Sequence, residues 1–364
     1  PPLSDTQPPA VVVEPYLHVD AHRIFNPLTA RSLTRQETLF GTVQALWNRT
    51  CRVETLAPTL QTTLVQDGWV VPAEGDLSRR FRLTYVSLEA NTTCNHTCFF
   101  CPVSLAPRAG HTMSLAFYER IVQQLADFRA TLAAVFVNNY NEPTADRWFV
   151  DRVRILKAYD LAPALLTNGS GLTPARVDEL MALGGLRYLC INLSTLDQEQ
   201  YRHDRGADHL NLVLRNLDYC KQVPLAPEMV VVVLGRDDRA HRRAHREIAR
   251  RFAGTRFRTQ RHLVMDRAGY LPLGVKSARP HAHLRGCENM GSRPIQHLHI
   301  TPYGHCLLCC EDYDERYVVG DLTVETVAEV LAGPRLAQLR RWVYGQEEAP
   351  ADFICRRCHF ARTP

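Results

Sequence analysis

Twelve cysteines stand in the 364-residue chain, and nine of them fall into a pattern. Cys94, Cys98 and Cys101 form a CxxxCxxC triplet. Cys287 stands by itself, Cys306, Cys309 and Cys310 form a CxxCC, and Cys355 and Cys358 a terminal CxxC. Clustered thiols in a long chain with no charged-apolar-small opening segment argue for metal binding rather than disulfides. The triplet brings three thiolates to one point and supplies no fourth. A structural zinc ion wants four closed ligands. A [4Fe–4S] cluster held by three cysteines keeps one iron open, where a further molecule can bind.

The elements around the triplet are expected to hold it at the mouth of an α/β fold. From Phe81 the pattern alternates between strand and helix. Strands are expected at 82–89, 131–137, 162–167, 187–193, 229–234 and 257–264. Helices are expected at 115–128, 145–159, 174–183, 208–222 and 240–252. Ser114 is placed as an N-cap before Leu115, Tyr118, Val122, Leu125 and Phe128 on one face. Thr173 and Pro174 open the next clear helix, and Gly184-Gly185 stop it. Six such units predict a parallel sheet wound right-handed, a partial (β/α)6 TIM-like barrel. Chemistry in such folds gathers at the C-terminal ends of the strands, and the triplet follows the first one.

Residues before this region read differently. Val11–Val13 and Tyr16–Val19 are expected as short strands, and Thr34 with Glu37 as a capping box for a helix carrying Leu39, Phe40, Val43, Leu46 and Trp47. A second helix near 56–66 and a strand at 69–71 complete a winged-helix-like module, followed by a polar linker at 72–80. After about residue 268 the alternation stops and a small cysteine-rich region begins. The expected domains are therefore 1–80, 81–268 and 269–364. Pro1, Pro2, Pro8 and Pro9 read as a short disordered lead-in.

With 45% apolar residues the chain can fill a sizeable core, which excludes a disordered or disulfide-stapled design. The net charge is +5, and only three of the 43 basic residues are lysine. No apolar run reaches the 18 residues of a membrane span, so a soluble, cytoplasmic protein is expected. Arg236 to His262 holds ten arginines against three acids. Aromatics interleave sparsely there, so nucleic acid is not the expected partner. A solvated outer helix fits better, and an acidic peptide or a ferredoxin-type protein is the remaining option. His241 and His245 are spaced for one helix face, but a cation would be repelled there. His297 and His299 are assigned to ordinary packing or to supporting roles, and Cys51, Cys190 and Cys220 to the core.

Cys94-Asn-His-Thr-Cys98-Phe-Phe-Cys101 resembles the cluster loop of the radical S-adenosylmethionine superfamily, and the resemblance runs over residues 82 to about 265. It implies that the three cysteines ligate three irons and that Phe100 lines an adenine pocket. S-adenosylmethionine would chelate the open iron, and its reductive cleavage would give methionine and a hydrogen-abstracting 5′-deoxyadenosyl radical. Tyr140-Asn141-Glu142-Pro143 is similar to the segment that meets the cofactor's amino group. Tyrosine and asparagine stand in for two glycines, and asparagine tolerates positive φ better than most residues. Thr167-Asn168-Gly169 and Asn192-Leu193-Ser194 end the third and fourth strands as in relatives. Arg205 falls where some relatives hold the cofactor carboxylate. No residue stands out as the substrate's proton acceptor.

Cys287, Cys309, Cys355 and Cys358 resemble the ligands of the SPASM/Twitch subgroup, implying one auxiliary [4Fe–4S] cluster. Cys310 or Cys306 could replace Cys309, and a four-cysteine zinc knuckle has similar spacing. Val319–Leu322 and a helix over 324–342 fit that module. Four protein ligands leave no open iron, so electron transfer is the implied role. The N-terminal module resembles the peptide-recognition elements fused to enzymes that modify ribosomally made peptides, which bind by strand addition. Oxidative modification or cross-linking of such a peptide is therefore the leading expectation. Oxidation of a small molecule such as an aminocyclitol or sugar is the alternative, and a non-catalytic electron carrier a third. A flavodoxin- or ferredoxin-type donor is the expected electron source.

Overall fold

The computed structural model describes residues 10–273 and 279–364. The proline-rich lead-in lies outside the described residues. Two compact units divide the chain. One comprises Pro1–Arg82, Pro280–Gln296 and Leu331–Pro364, the other Leu83–Arg279 and His297–Val330.

In the first unit, β1 (Val11–Val13) pairs antiparallel with β5 (Val70–Pro72), and β2 (His18–Val19), β3 (Arg23–Asn26) and β4 (Arg31–Thr34) form a three-stranded antiparallel sheet. Helices α1 (Leu39–Trp47) and α2 (Pro58–Gln66) join them. Ile24, Val43, Leu64, Trp69 and Val70 are its buried centre. The Thr34–Glu37 pair forms, with Glu37 Oε2 2.6 Å from Thr34 N. It closes the turn after β4 instead of capping α1, which begins only at Leu39.

The second unit carries β6 (Tyr85–Leu88), α3 (Leu115–Ala126), β7 (Ala134–Phe136), α4 (Phe149–Ala158), β8 (Pro163–Thr167), α5 (Pro174–Ala182), β9 (Tyr188–Asn192), α6 (Gln198–Arg205), α7 (Leu210–Cys220), β10 (Met229–Gly235), α8 (Arg239–Phe252) and β11 (Phe257–Leu263). Strands β6 to β11 pair parallel in sequential order, the topology of a partial (β/α)6 barrel. Met229 to Val233 is a near-continuous apolar run, as a strand covered on both faces requires. Helix α4 starts later than its periodicity predicts. Glu142 accepts from Thr144 N and draws Pro143–Ala145 into a separate 3-10 turn. Helix α6, capped by Asp197 and Gly206, went unread because its side chains are almost all polar.

A short helix α9 (Arg293–Gln296) precedes β12 (His297–Ile300), which adds parallel to β6 and is followed by antiparallel β13 (His305–Leu307) and β14 (Val318–Asp321). The helix expected over 324–342 is two helices, α10 (Val327–Leu331) and α11 (Pro334–Val343). Pro334 cannot continue α10, and it sits at the first position of α11, where its missing N–H costs nothing.

Candidate active site

Because β6 to β11 run parallel, the loops that follow them lie at one end of the sheet. The loop after β6 carries the cysteine triplet. Thr97 N and Phe99 N donate to the carbonyls of Arg205 and Asp204 at 2.9 and 3.1 Å, so the end of α6 backs the loop. Gly206, at φ 62°, lets the two approach: a Cβ there would lie 1.9 Å from Thr97 Oγ1. Cys94, Cys98 and Cys101 share this loop closely enough to interact electrostatically, although among the described residues no three His, Cys, Asp or Glu side chains are set to hold a single metal ion. Burial pushes the Cys94 thiol up to about 12, and nearby Glu142, Cys98 and Cys101 add to the rise. Burial also raises Cys101. Bound iron would take the thiolate form and displace the proton, removing this cost.

Glu142, 2% exposed, follows β7. Its N–H donates to Thr93 O at 2.9 Å, tying it to the cysteine loop. Its carboxylate accepts from Thr167 Oγ1 at 2.6 Å, Thr144 Oγ1 at 2.6 Å and Asn168 N at 2.7 Å. Burial nevertheless raises its pKa, outweighing these hydrogen bonds. A cation nearby would reverse that balance. Asn168 Nδ2 donates to Asn95 Oδ1 at 2.8 Å, and Asn95 Nδ2 to Ser170 Oγ at 2.9 Å. Asn141 is buried, and among the described residues its Nδ2 has no partner.

Arg205 is 2% exposed. Its Nη2 donates to Asn192 O and Oδ1 at 2.7 and 2.6 Å and to Ser194 Oγ at 2.6 Å, while Nη1 lies 3.7 Å from Cys98 Sγ. Its guanidinium covers the Phe100 ring at 4.9 Å. Ser194 takes φ 70° to reach it. Phe99, Phe100 and Leu234 also pack against Val264, Leu271 and Leu273, which makes an apolar wall. The end of β9, the end of α6 and the cysteine loop thus form one charged and aromatic cluster.

A buried network below this cluster was not read from sequence. Glu89, at the end of β6, is fully buried and forms a two-pronged ion pair with Arg108 at 2.6 and 2.9 Å. It also accepts from Tyr140 N at 2.9 Å. The Tyr140 hydroxyl donates to Cys310 O. A carboxylate closing an otherwise apolar strand was the one available signal.

The other six cysteines of the pattern divide between the units. Cys287, Cys355 and Cys358 belong to the first, Cys306, Cys309 and Cys310 to the second. Cys287 bridges Ala361, Glu288 N donates to Phe360 O at 3.0 Å, and Phe360 N approaches Cys358 Sγ at 3.4 Å. These contacts bring the 287 and 355–358 segments together. Cys306 is fully buried on β13, where burial and nearby Glu325 and Asp321 push its thiol well up. Glu311 N lies 3.4 Å from Cys309 Sγ, and Cys310 Sγ 3.7 Å from Glu311 Oε1. His241 uses both ring nitrogens on backbone, at Val233 O and Asp237 N.

Comparison with known proteins gives two family profiles, the radical SAM superfamily over residues 88–247 and an iron–sulfur cluster-binding domain (SPASM) over 287–359. The chain is 22% identical over 279 residues to the S-adenosyl-L-methionine-dependent 2-deoxy-scyllo-inosamine dehydrogenase of Niallia circulans, covering 75% of this chain and 92% of that enzyme. It is 24% identical over 150 residues to a probable GTP 3′,8-cyclase of Thermoplasma volcanium, covering 41% of this chain and 45% of the cyclase. The match thus spans about half the length of that cyclase. Among solved structures, Streptococcus suis SuiB bound to precursor peptide SuiA superposes with a TM-score of 0.60 at 12% identity, over 91% of this chain and 90% of that one. BtrN in complex with AdoMet and 2-DOIA superposes with a TM-score of 0.53 at 18% identity, over 76% and 93%. At these identities the structures speak for the fold. Among the described residues no helix is long and apolar enough to cross a membrane.

Proposed function

The chain belongs to the radical SAM superfamily and carries its SPASM iron–sulfur domain; on that premise we propose that it oxidatively modifies or cross-links a ribosomally made peptide. Its cofactors are those of the family: a [4Fe–4S] cluster, auxiliary iron–sulfur chemistry and S-adenosylmethionine. When bound, they supply a reductive cleavage of the sulfonium that yields methionine and a hydrogen-abstracting 5′-deoxyadenosyl radical.

The reading is carried by the loop after β6, which holds three thiols within eight residues and is tied to buried Glu142 through the Thr93 carbonyl. Cys94, Cys98 and Cys101 would hold three irons. Glu142, fixed by Thr144, Thr167 and Asn168, would accept from the cofactor's ammonium group. The unpartnered Asn141 Nδ2 beside it supplies a donor for the same ligand. Asn192 and Ser194 would meet the ribose, and Phe100 the adenine. Arg205 is already committed to Asn192 and Ser194, so it would orient these two as well as face the cofactor carboxylate. Cys287, Cys355 and Cys358 would contribute ligands to a single auxiliary cluster, which when bound would supply an acceptor for the electron of the product radical.

Peptide modification is favoured by the N-terminal residues, which fold with their own core, and by a superposition on SuiB too extensive, at 91% of the chain, to leave them all out. A second reading, dehydrogenation of an aminocyclitol or sugar, is favoured by the match to 92% of the inosamine dehydrogenase. One anaerobic experiment separates them. The reduced enzyme is incubated with synthetic short peptides encoded beside its gene and, separately, with 2-deoxy-scyllo-inosamine. Peptide modification predicts 5′-deoxyadenosine formation coupled to a peptide lighter by two hydrogens. Turnover of the aminocyclitol, with no peptide turned over, would replace it with the second reading.

A further inference from the structure

Helix α8 buries His241, Ala244, Ile248 and Phe252 and turns its other side to solvent. Arg239, Arg242, Arg243, Arg246 and Arg250 are exposed there. Four of them, Arg239, Arg242, Arg243 and Arg246, line one groove of about 460 Å³ with Ala240 and no acidic residue. Arg242 is paired with Asp237 at 3.3 Å, and Arg243 reaches Glu247 only at 3.9 Å. Among the described residues Arg239 and Arg246 have no carboxylate in ion-pair range. A solvated helix face normally interleaves both signs; this one leaves a cationic strip about 10 Å long from Arg239 to Arg246.

The strip leads to the cysteine loop. Ala240 and Arg243 also border a second cleft of about 380 Å³ that reaches Ser194, Asp204, Leu234 and Arg236. Asp204 O holds Phe99 N, and the Arg236 guanidinium lies 5.0 Å over the Phe99 ring. Phe99 sits between Cys98 and Cys101. The groove and this cleft share Ala240 and Arg243; the cleft also carries Asp197, Asp238 and Glu247, and it meets the triplet loop through the contacts of Asp204 and Arg236 with Phe99.

We infer that the arginine face of α8 is the docking surface for an acidic one-electron carrier protein, which delivers the electron needed at the Cys94–Cys101 cluster. The inference rests on the proposed cluster at that loop. In the transfer the carrier is oxidised by one electron and the cluster reduced by one, with no bond made or broken. Charge complementarity selects the partner class: such a surface speeds encounter and sets orientation, and it weakens as salt screens it. Nucleic acid would also be attracted by the charge. The strip, however, offers no exposed aromatic on which a base could stack, since Phe252 is buried within α8.

The test compares two electron sources on the reconstituted full chain, flavodoxin hydroquinone and dithionite. The variant is the triple replacement Arg239→Glu, Arg243→Glu and Arg246→Glu, with the corresponding triple Lys replacement as charge-preserving control. Flavodoxin-driven cleavage of S-adenosylmethionine is expected to fall at least about tenfold in the Glu variant and to stay within about threefold in the Lys variant. Dithionite-driven cleavage should remain unchanged in both. Raising salt should slow the flavodoxin-driven wild type and flatten the difference. Affinity for oxidised flavodoxin, measured without turnover, should weaken in parallel. Equal flavodoxin affinity and rate in wild type and Glu variant would overturn the docking surface, as would salt-sensitive binding of duplex DNA or RNA with no binding of flavodoxin. Absence of cleavage with dithionite in the wild type would instead count against the cluster, and the affinity comparison would still decide the surface.

Discussion

Cys94, Cys98 and Cys101 sit within eight consecutive residues of one loop, inside one compact unit. Cys287, Cys355 and Cys358 come from two distant segments of the other unit, which also holds the first 82 residues, while Cys309 and Cys310 belong with the barrel. The contrast shows two ways of building a thiolate site. In the first, spacing alone brings the ligands together, and the surrounding strand ends add Glu142, Asn168 and Arg205. In the second, chain topology matters, because the bridge between residues 287 and 361 is what holds the two segments side by side. A short loop needs little entropy to close, and segments some 70 residues apart need more.

The strongest way to sharpen this contrast is to delete one thiol from each set. Cys98→Ala is expected to abolish cleavage of S-adenosylmethionine, a loss of about a thousandfold or more, and to remove about four of eight irons. The double replacement Cys355→Ala and Cys358→Ala should also lower iron by about four while 5′-deoxyadenosine formation stays within about tenfold. Product yield should then collapse. Equal loss of 5′-deoxyadenosine in both variants would erase the distinction between the two sites. Iron analysis and chromatography of the cleavage products are the readouts.

A smaller effect is expected at the ligand cradle. Glu142→Gln keeps the shape but removes the charge offered to an ammonium group, so affinity for S-adenosylmethionine should drop about tenfold to a hundredfold. The iron content should not change. Calorimetric titration of the reconstituted protein checks this, and unchanged affinity would detach Glu142 from the cofactor.

Gly206→Ala tests whether the triplet depends on its neighbour. Positive φ and the approach to Thr97 should cost about 1–3 kcal/mol and loosen the loop, read as a lower melting temperature and slower cluster incorporation. The smallest effect belongs to the first unit. His18 is buried against Tyr344 with Nε2 3.1 Å from its hydroxyl, and burial lowers its pKa to about 3, helped by Arg362 and Arg23. Its neutral form contributes stability that is fully present above pH 6.5 and lost as pH falls toward 3. Between pH 7 and 4.5 the melting temperature of His18→Gln should decline less steeply than that of the wild type.

Much of the barrel was legible because its strands are apolar runs and its helices carry strong caps. Ser114 accepts from Phe117 N, and Thr173 from Arg176 N. The triplet, Glu142, Thr167 and Asn168 were named from their likeness to radical SAM segments, and the structure places them in or beside the loops after β6, β7 and β8. Arg205 could be named, yet its helix could not, since α6 lacks an apolar periodicity and is held mainly by Tyr201 and its caps. Glu89 with Arg108 escaped notice because a buried ion pair between residues 19 apart leaves no local pattern. The β3–β4 hairpin was missed as well. Its turn places Ala30 at φ 60°, a position where no glycine or asparagine flags the bend.

The most direct measurement is anaerobic: reconstituted protein is reduced with dithionite, S-adenosylmethionine is added, and the EPR signal and the products are followed together. A shift of the reduced-cluster signal, with methionine and 5′-deoxyadenosine formed in equal amounts and lost in Cys98→Ala, is the expected result. Protein loaded to full iron content that gives neither a shifted signal nor 5′-deoxyadenosine would contradict an open iron at the Cys94–Cys101 loop.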